Sequence, residues 1–189
     1  MAHFGITSPK VRLSRNVRKL PNALSTQHCD QNPRPECAGS RYKEGVFVGY
    51  RGYRHGTQPL FPFGYGLSYS TFKFSNLKVT PSSFTADEPV TVSFDVTNTG
   101  GIEGQEVAQL YVHDTHSKVE RPEKELKGFL KISLKPGETK DASIRLDRRA
   151  FSYYDVNSKQ WIAEPGDFGI LVSSSAEQVE LQGLVKLTR

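Results

Sequence analysis

The stretch PVTVSFDVTN (89–98) decides the fold of this chain. Its even positions from 90 to 96 are Val, Val, Phe and Val, and the positions between and after them are Thr, Ser, Asp and Thr. Such alternation is typical of a β-strand that buries one face and shows the other to water. Asn98, Gly100 and Gly101 then supply the residues of a turn. The stretch therefore predicts a strand of an antiparallel sheet.

Similar short segments follow along the chain, and none favours a helix longer than two turns. We predict further strands at 106–114, 126–134, 142–146, 152–155, 160–164, 166–174 and 179–187. The series predicts a mainly β fold, a fibronectin type III or immunoglobulin-like antiparallel β-sandwich over residues 73–189, with an extended N-terminal arm. This part contains no cysteine, so packing alone is expected to hold the sheets together, with Trp161 buried between them.

Residues 42–72, here called the connector, are rich in aromatic side chains. Within EGVFVGYR (44–51), the apolar residues predict a short, mostly buried strand. In FPFGYGLSY (61–69), proline and glycine bend the backbone between aromatic rings. Aromatic rings beside Arg51 and Arg54 suit stacking on sugars or bases, but clustering in a bent run favours packing on the core or on a neighbouring domain.

Residues 1–41 form an irregular basic head that we expect to be disordered. They hold seven Lys or Arg and two acidic residues, whereas residues 42–189 hold 18 of each sign. The balanced charge of the main part argues against nucleic-acid binding, and the lack of a long apolar run argues against a transmembrane helix. The head has no apolar core of a secretory signal and resembles a transit peptide only weakly, so localisation is not indicated. His28, Cys29 and Cys37 supply at most three zinc ligands at unsuitable spacing.

No residue is predicted to be catalytic, to bind a cofactor or to hold a metal. His113, Asp114 and His116 suggest a metal or general-base site, but at a strand end they more often form a solvated turn. The mixed charges between 120 and 127 are typical of an exposed loop or edge strand. Carboxylate pairs that suit glycoside hydrolysis, Glu103 with Glu106 or Asp141 with Asp147, are not singled out by any pattern.

Five ordered blocks nevertheless resemble the C-terminal part of glycoside hydrolase family 3 β-glucosidases, the fungal type most closely. They are EGVFVGYRGY (44–53), PLFPFGYGLSYSTF (59–72), VTNTGGIEGQEVAQLYVHD (96–114), ERPEKELKGFLKISLKPGE (120–138) and SYYDVNSKQWIAEPGDFGILV (152–172). The resemblance implies that residues 42–72 complete an α/β sandwich domain and that residues 73–189 form a fibronectin type III-like domain. Residues 1–41 show no such likeness, and we expect them to be a foreign head.

In that family the nucleophilic Asp and the acid/base Glu lie in preceding domains, so neither is carried onto a residue here. The resemblance implies a family whose members hydrolyse terminal β-D-glucosyl residues, and a chain that is itself non-catalytic, structural and domain-stabilising. Its expected partners are the missing barrel and α/β sandwich domains, or a second copy bound through the connector. A carbohydrate-binding or protein-interaction module is the alternative, with a glycan as the further partner and no cofactor.

Overall fold

The computed structural model describes residues 45–53, 59–85 and 88–188. The strands are β1 (Phe72–Thr80), β2 (Ser83–Phe84), β3 (Val90–Asn98), β4 (Gly104–Asp114), β5 (Glu125–Leu134), β6 (Thr139–Leu146), β7 (Tyr153–Asp155), β8 (Gln160–Ile162), β9 (Gly166–Ser173) and β10 (Val179–Leu187). Within these residues there are also two short 3-10 helices, Gly49–Gly52 and Arg148–Phe151. None of the described helices is long and apolar enough to cross a membrane.

The strands form two facing sheets and a separate hairpin. One sheet has the order β1-β3-β6, the other has the order β2-β10-β9-β4-β5, and β7 pairs with β8 alone. All pairings are antiparallel except that of β2 with β10. The mainly β sandwich predicted from the sequence is confirmed.

The core lies between the two large sheets. The alternation in β3 places Val90, Val92, Phe94 and Val96 inside, all at most 1% exposed. Phe151, on the 3-10 helix after β6, closes the core, with its ring centroid 4.7 Å from that of Phe84.

Strand β4 differs from β3 because it is buried on both faces. Ala108 and Leu110 belong to the core cluster, while their neighbours Gln109 and Tyr111 are fully buried although they lie on the other face. The connector covers this outer face of the five-stranded sheet, as the contacts of Tyr50 and Gly64 described below show. It therefore adds a third layer to the sandwich.

Two sequence-based expectations are wrong. Trp161 is not a core residue: it is 45% exposed, because the β7–β8 hairpin lies outside the two facing sheets. The segment around Val46 and Val48 is not a buried strand; both side chains are more than half exposed, and Gly49–Gly52 is a 3-10 helix. Strands β1 and β2 were not predicted. The head (1–41), with His28, Cys29 and Cys37, and Arg54 lie outside the described residues.

Candidate functional site: the connector interface

Aromatic rings seat the connector on the sandwich. The ring centroid of Tyr50 lies 5.3 Å from that of Phe63 and 5.7 Å from that of Tyr111 on β4, the latter pair meeting edge to face. Aromatic pairs favour such tilted geometry because the edge of one ring is positive and the face of the other negative. The Tyr50 hydroxyl also accepts a hydrogen bond from the amide of Leu126 on β5 over 2.7 Å.

The glycine at 64 lets the connector backbone approach β4 very closely. Gly64 has a φ of +82°, and a Cβ added there would lie 2.0 Å from Nε2 of Gln109. The Gln109 amide is held by two hydrogen bonds: Nε2 donates to the carbonyl of Ser174 over 3.1 Å, and Oε1 accepts from the hydroxyl of Tyr111 over 2.6 Å. Only glycine satisfies both the positive φ and the contact.

The buried amide of Asn98 joins the end of the connector to the turn after β3. Its Oδ1 accepts from the hydroxyl of Ser70 and from the amide of Gly100. Its Nδ2 donates to the carbonyl oxygens of Ile102, at 2.8 Å, and Leu134, at 3.0 Å. All four hydrogen-bonding positions of this side chain are satisfied, as burial of an amide requires.

A cluster of charged side chains stands beside the connector at the edge strand β5. Arg121 donates to Asp114 over 3.0 Å and to Glu125 over 2.7 Å. Lys127 lies 3.1 Å from Glu125, and Arg51 of the connector lies 3.8 Å from it. The side chains of Arg121 and Asp114 are 8% and 9% exposed, so the sequence-based interpretation of a solvated loop is wrong for them.

The pKa values in this charge cluster reflect its burial. Burial raises the pKa of Glu125, but the hydrogen bond from Arg121 and the charge of Lys127 outweigh it and leave that pKa below its usual value of 4.5. Burial also lowers the pKa of Lys127, against the opposing effect of Glu125. Glu125 is therefore a carboxylate that pairs with three cations, Arg121, Lys127 and the more distant Arg51.

The two histidines at the end of β4 have separate hydrogen-bond partners. His113 hydrogen-bonds through Nδ1 to the carbonyl of Glu123, and His116 is exposed, while Asp114 accepts from the guanidinium of Arg121 and from the backbone amide of His116. No group of three His, Cys, Asp or Glu suited to a metal ion occurs within 45–53, 59–85 and 88–188.

The carboxylates weighed as pairs fall in different surroundings. Glu103 is exposed before β4, whereas Glu106 is buried on that strand. Asp141 is exposed on β6, in register with Asp95. Asp147 accepts a hydrogen bond from the amide of Ala150 and caps a 3-10 helix.

The sequence did not indicate that Gln109 and Asn98 contact the connector or that Arg121 is the centre of the charge cluster. One signal was available: Gln109 is a lone amide within the apolar run VAQLYV (107–112), and a polar group in such a strand requires a partner. No local sequence pattern indicated the role of Arg121, because its two hydrogen-bond acceptors, Asp114 and Glu125, lie on different strands.

The connector has a second, outward face that remains apolar. Its exposed side chains are Val46, Val48, Leu60, Leu67 and Tyr69, of which Leu60 and Leu67 are more than 70% exposed. Apolar side chains so exposed, and concentrated along one short segment, are typical of a surface that binds another surface.

Known proteins match both the sandwich and the connector. The Fn3-like family, the fibronectin type III-like domain, matches residues 106–176. Thermostable β-glucosidase B of Acetivibrio thermocellus is 43% identical over 185 residues, covering 97% of this chain and 24% of the relative. The probable β-glucosidase H of Emericella nidulans is 43% identical over 184 residues, covering 95% of this chain and 22% of the relative.

Solved structures agree. A glycoside hydrolase family 3 β-glucosidase of Bifidobacterium adolescentis superposes with a TM-score of 0.73 and 37% identity, over 79% of this chain and 23% of that one. The β-D-glucoside glucohydrolase of Trichoderma reesei gives 0.71 and 33% identity, over 82% of this chain and 25% of that one. The chain thus spans about a quarter of the length of these relatives.

The match to the Acetivibrio enzyme also corrects the expectation of a foreign head. Because 97% of the chain is aligned, only about six residues lie outside the match, and most of residues 1–41 fall within it. The aligned sequence, the shared sandwich and the short span within each relative lead to one assignment. The chain corresponds to the C-terminal part of a glycoside hydrolase family 3 β-glucosidase and carries the Fn3-like domain of that family.

Proposed function

We propose that the chain is the non-catalytic, domain-stabilising C-terminal module of an enzyme that hydrolyses terminal β-D-glucosyl residues. One observation carries the proposal: the connector is two-faced. Its inner face is fixed to β4 and β5 by Tyr50, Phe63 and Gly64, while Leu60 and Leu67 on its outer face are exposed. The outer face of the connector is therefore an apolar surface on which the preceding α/β sandwich domain can pack. Residues 42–72 would complete that domain.

The inner-face contacts explain how the module would stabilise its neighbour. Aromatic packing, the seat of Gly64 on Gln109 and the Asn98 amide fix the connector in one conformation before any partner arrives. A preformed surface avoids most of the entropy cost of ordering a flexible segment on binding. Both catalytic carboxylates of a retaining mechanism would then lie in the preceding domains.

Two measurements test this function. The purified chain should release no nitrophenol from an aryl β-glucoside above a buffer blank. A chimera of the Acetivibrio β-glucosidase B, in which this chain replaces the matching segment, should hydrolyse the same substrate. Turnover that co-purifies with the chain alone would overturn the non-catalytic role.

Substitutions on the outer face test the docking. Leu67→Asp should lower the thermal stability of the chimera because it places a charge in the interface, whereas Leu184→Asp, at a comparably exposed site on β10, serves as the matched control. Equal behaviour of the two variants would refute docking through the connector. In the chain alone the same face should cause concentration-dependent self-association in sedimentation velocity, reduced by Leu67→Asp.

Carbohydrate binding is the second candidate function. Among the connector aromatics that suggested it, Tyr50 and Phe63 are packed on the sheet and on each other, while Tyr69 is 65% exposed. A specific observation favours it only at the β7–β8 hairpin, where Tyr154 and Trp161 are both about half exposed.

A further inference from the structure

The β7–β8 hairpin displays an aromatic pair beside an arginine. Tyr154 and Trp161 are direct cross-strand partners, with ring centroids 5.6 Å apart in an edge-to-face arrangement. The guanidinium carbon of Arg149 lies 4.2 Å from the ring centroid of Trp161. The tyrosine is 48% and the tryptophan 45% exposed, so a platform of aromatic and guanidinium surface faces water.

The hairpin holds this platform in a fixed shape. In its turn, Oδ2 of Asp155 accepts from the amide of Ser158 over 3.0 Å and from its hydroxyl over 2.6 Å. These hydrogen bonds lower the pKa of Asp155 and keep the carboxylate charged. A rigid pair of aromatic rings loses little entropy when a ligand binds.

Arg149 gives the platform a cation that can bind an anionic ligand. The neighbouring carboxylates are engaged: Asp147 accepts from the amide of Ala150, Asp155 binds its own turn, and Glu164 pairs with Lys118 at 3.2 Å. Arg149 makes no ion pair with any carboxylate of residues 45–53, 59–85 and 88–188. A guanidinium stacked on a ring through its face keeps its edge N–H groups available for a carboxylate.

We propose that Arg149, Tyr154 and Trp161 form a binding site for an acidic saccharide, one whose sugar units carry a uronate carboxylate. The carboxylate pairs with Arg149, while the C–H face of the pyranose ring, which is slightly positive, lies on the negative face of an aromatic ring. The choice of a saccharide over an acidic polypeptide rests on the proposed function, because a module of an enzyme that hydrolyses glycosides is exposed to saccharides.

The chain carries its own reporter, because Trp161 is its single tryptophan. Hexagalacturonate added to the full chain at low salt should change the Trp161 fluorescence, and cellohexaose should change it far less. High salt should weaken the response, since screening reduces an exposed ionic contact. Because the chain is tested alone, the outcome does not depend on whether the chimera hydrolyses glucosides.

Variants locate the site. Arg149→Gln should weaken hexagalacturonate binding about tenfold or more, measured by fluorescence and by calorimetry, since it removes a charge-assisted contact. Arg145→Gln, which removes another exposed arginine, is the control and should leave binding within about twofold. Unchanged circular dichroism of each variant verifies the fold.

The contradicting outcomes are distinct. Equal affinity for cellohexaose, no response to hexagalacturonate, or equal effects of the two arginine substitutions would overturn the proposal. A response to polyglutamate as strong as that to hexagalacturonate would also overturn it, and would assign the platform to an acidic polypeptide.

Discussion

The amide of Leu126 donates to the hydroxyl oxygen of Tyr50 across 76 positions of the chain. The bond forms beside an irregularity: Leu110 pairs with Gly128 and Tyr111 pairs with Leu126, so Lys127 is an extra residue that interrupts the β4–β5 ladder. A bulge leaves backbone groups without a ladder partner. The connector tyrosine supplies the acceptor for one of them.

Tyr50→Phe should therefore destabilise the chain by about 1 kcal/mol, the cost of leaving a partly buried amide without its acceptor. Tyr69→Phe, at a mostly exposed connector residue, is the control and should have little effect. Urea denaturation measures both. An equal free energy of unfolding for the two variants would show that the Tyr50 hydroxyl does not matter to the fold.

Gly64→Ala should loosen the connector. The added methyl group would clash with the Gln109 amide, and the positive φ adds backbone strain. Gly137→Ala is the matched control, because Gly137 also has a positive φ, of +74°, but open space around its Cβ position. We expect Gly137→Ala to cost about 1 kcal/mol and Gly64→Ala about 1–3 kcal/mol more in thermal or urea unfolding. Similar losses of unfolding free energy for both variants would mean that the close contact between Gly64 and Gln109 does not contribute to stability.

Arg121→Met should cost about 3–5 kcal/mol, because Asp114 then loses the cation that compensates it in a largely buried site, while Glu125 loses its closest cation and keeps Lys127. Lys140→Met breaks the exposed pair with Glu138 and should cost less than about 1 kcal/mol. A double-mutant cycle of Arg121→Met with Asp114→Asn should give a clear coupling energy in urea unfolding. If the losses of unfolding free energy in the two single variants simply add in the double variant, Arg121 does not stabilise the chain through Asp114.

Acid should weaken the charge cluster through Glu125. Its pKa in the folded chain is below the ordinary 4.5, so its contribution is fully present above pH 4.5 and is lost as the pH falls through the folded value. Glu125→Gln should flatten the pH dependence of the unfolding free energy in that window. Glu177→Gln, at an exposed site, should leave the slope as it is in the unsubstituted chain. Equal slopes for all three proteins would contradict the role of Glu125.

Local pattern was sufficient for most of the sandwich. Each face of β3 is read directly from its alternation, and the hairpin of β7 and β8 follows from two short runs around a polar turn. Such strands have one buried face whatever lies across from them. Strand β1 was harder, because its lysines and its irregularity after Ser75 blur the period of two.

The predictions that were wrong concern side-chain burial, which depends on the tertiary structure. Trp161 is large and apolar and was therefore predicted to be buried, but its hairpin lies outside the two facing sheets and leaves it exposed. Arg121 and Asp114 look like solvated charges in sequence, but the turn between β4 and β5 folds one onto the other. Val46 and Val48 have the composition of buried strand residues, but in this chain they remain exposed.

The third layer over β4 has a consequence for how such modules are inherited. A recombination event that moved only β1 to β10 into another enzyme would expose the side chains of Tyr111 and Gln109 to water, although their hydrogen bonds to each other and to Ser174 would be kept. Selection should therefore preserve the connector and the sandwich as one heritable unit, whose boundary lies upstream of Tyr50 and not at the first strand.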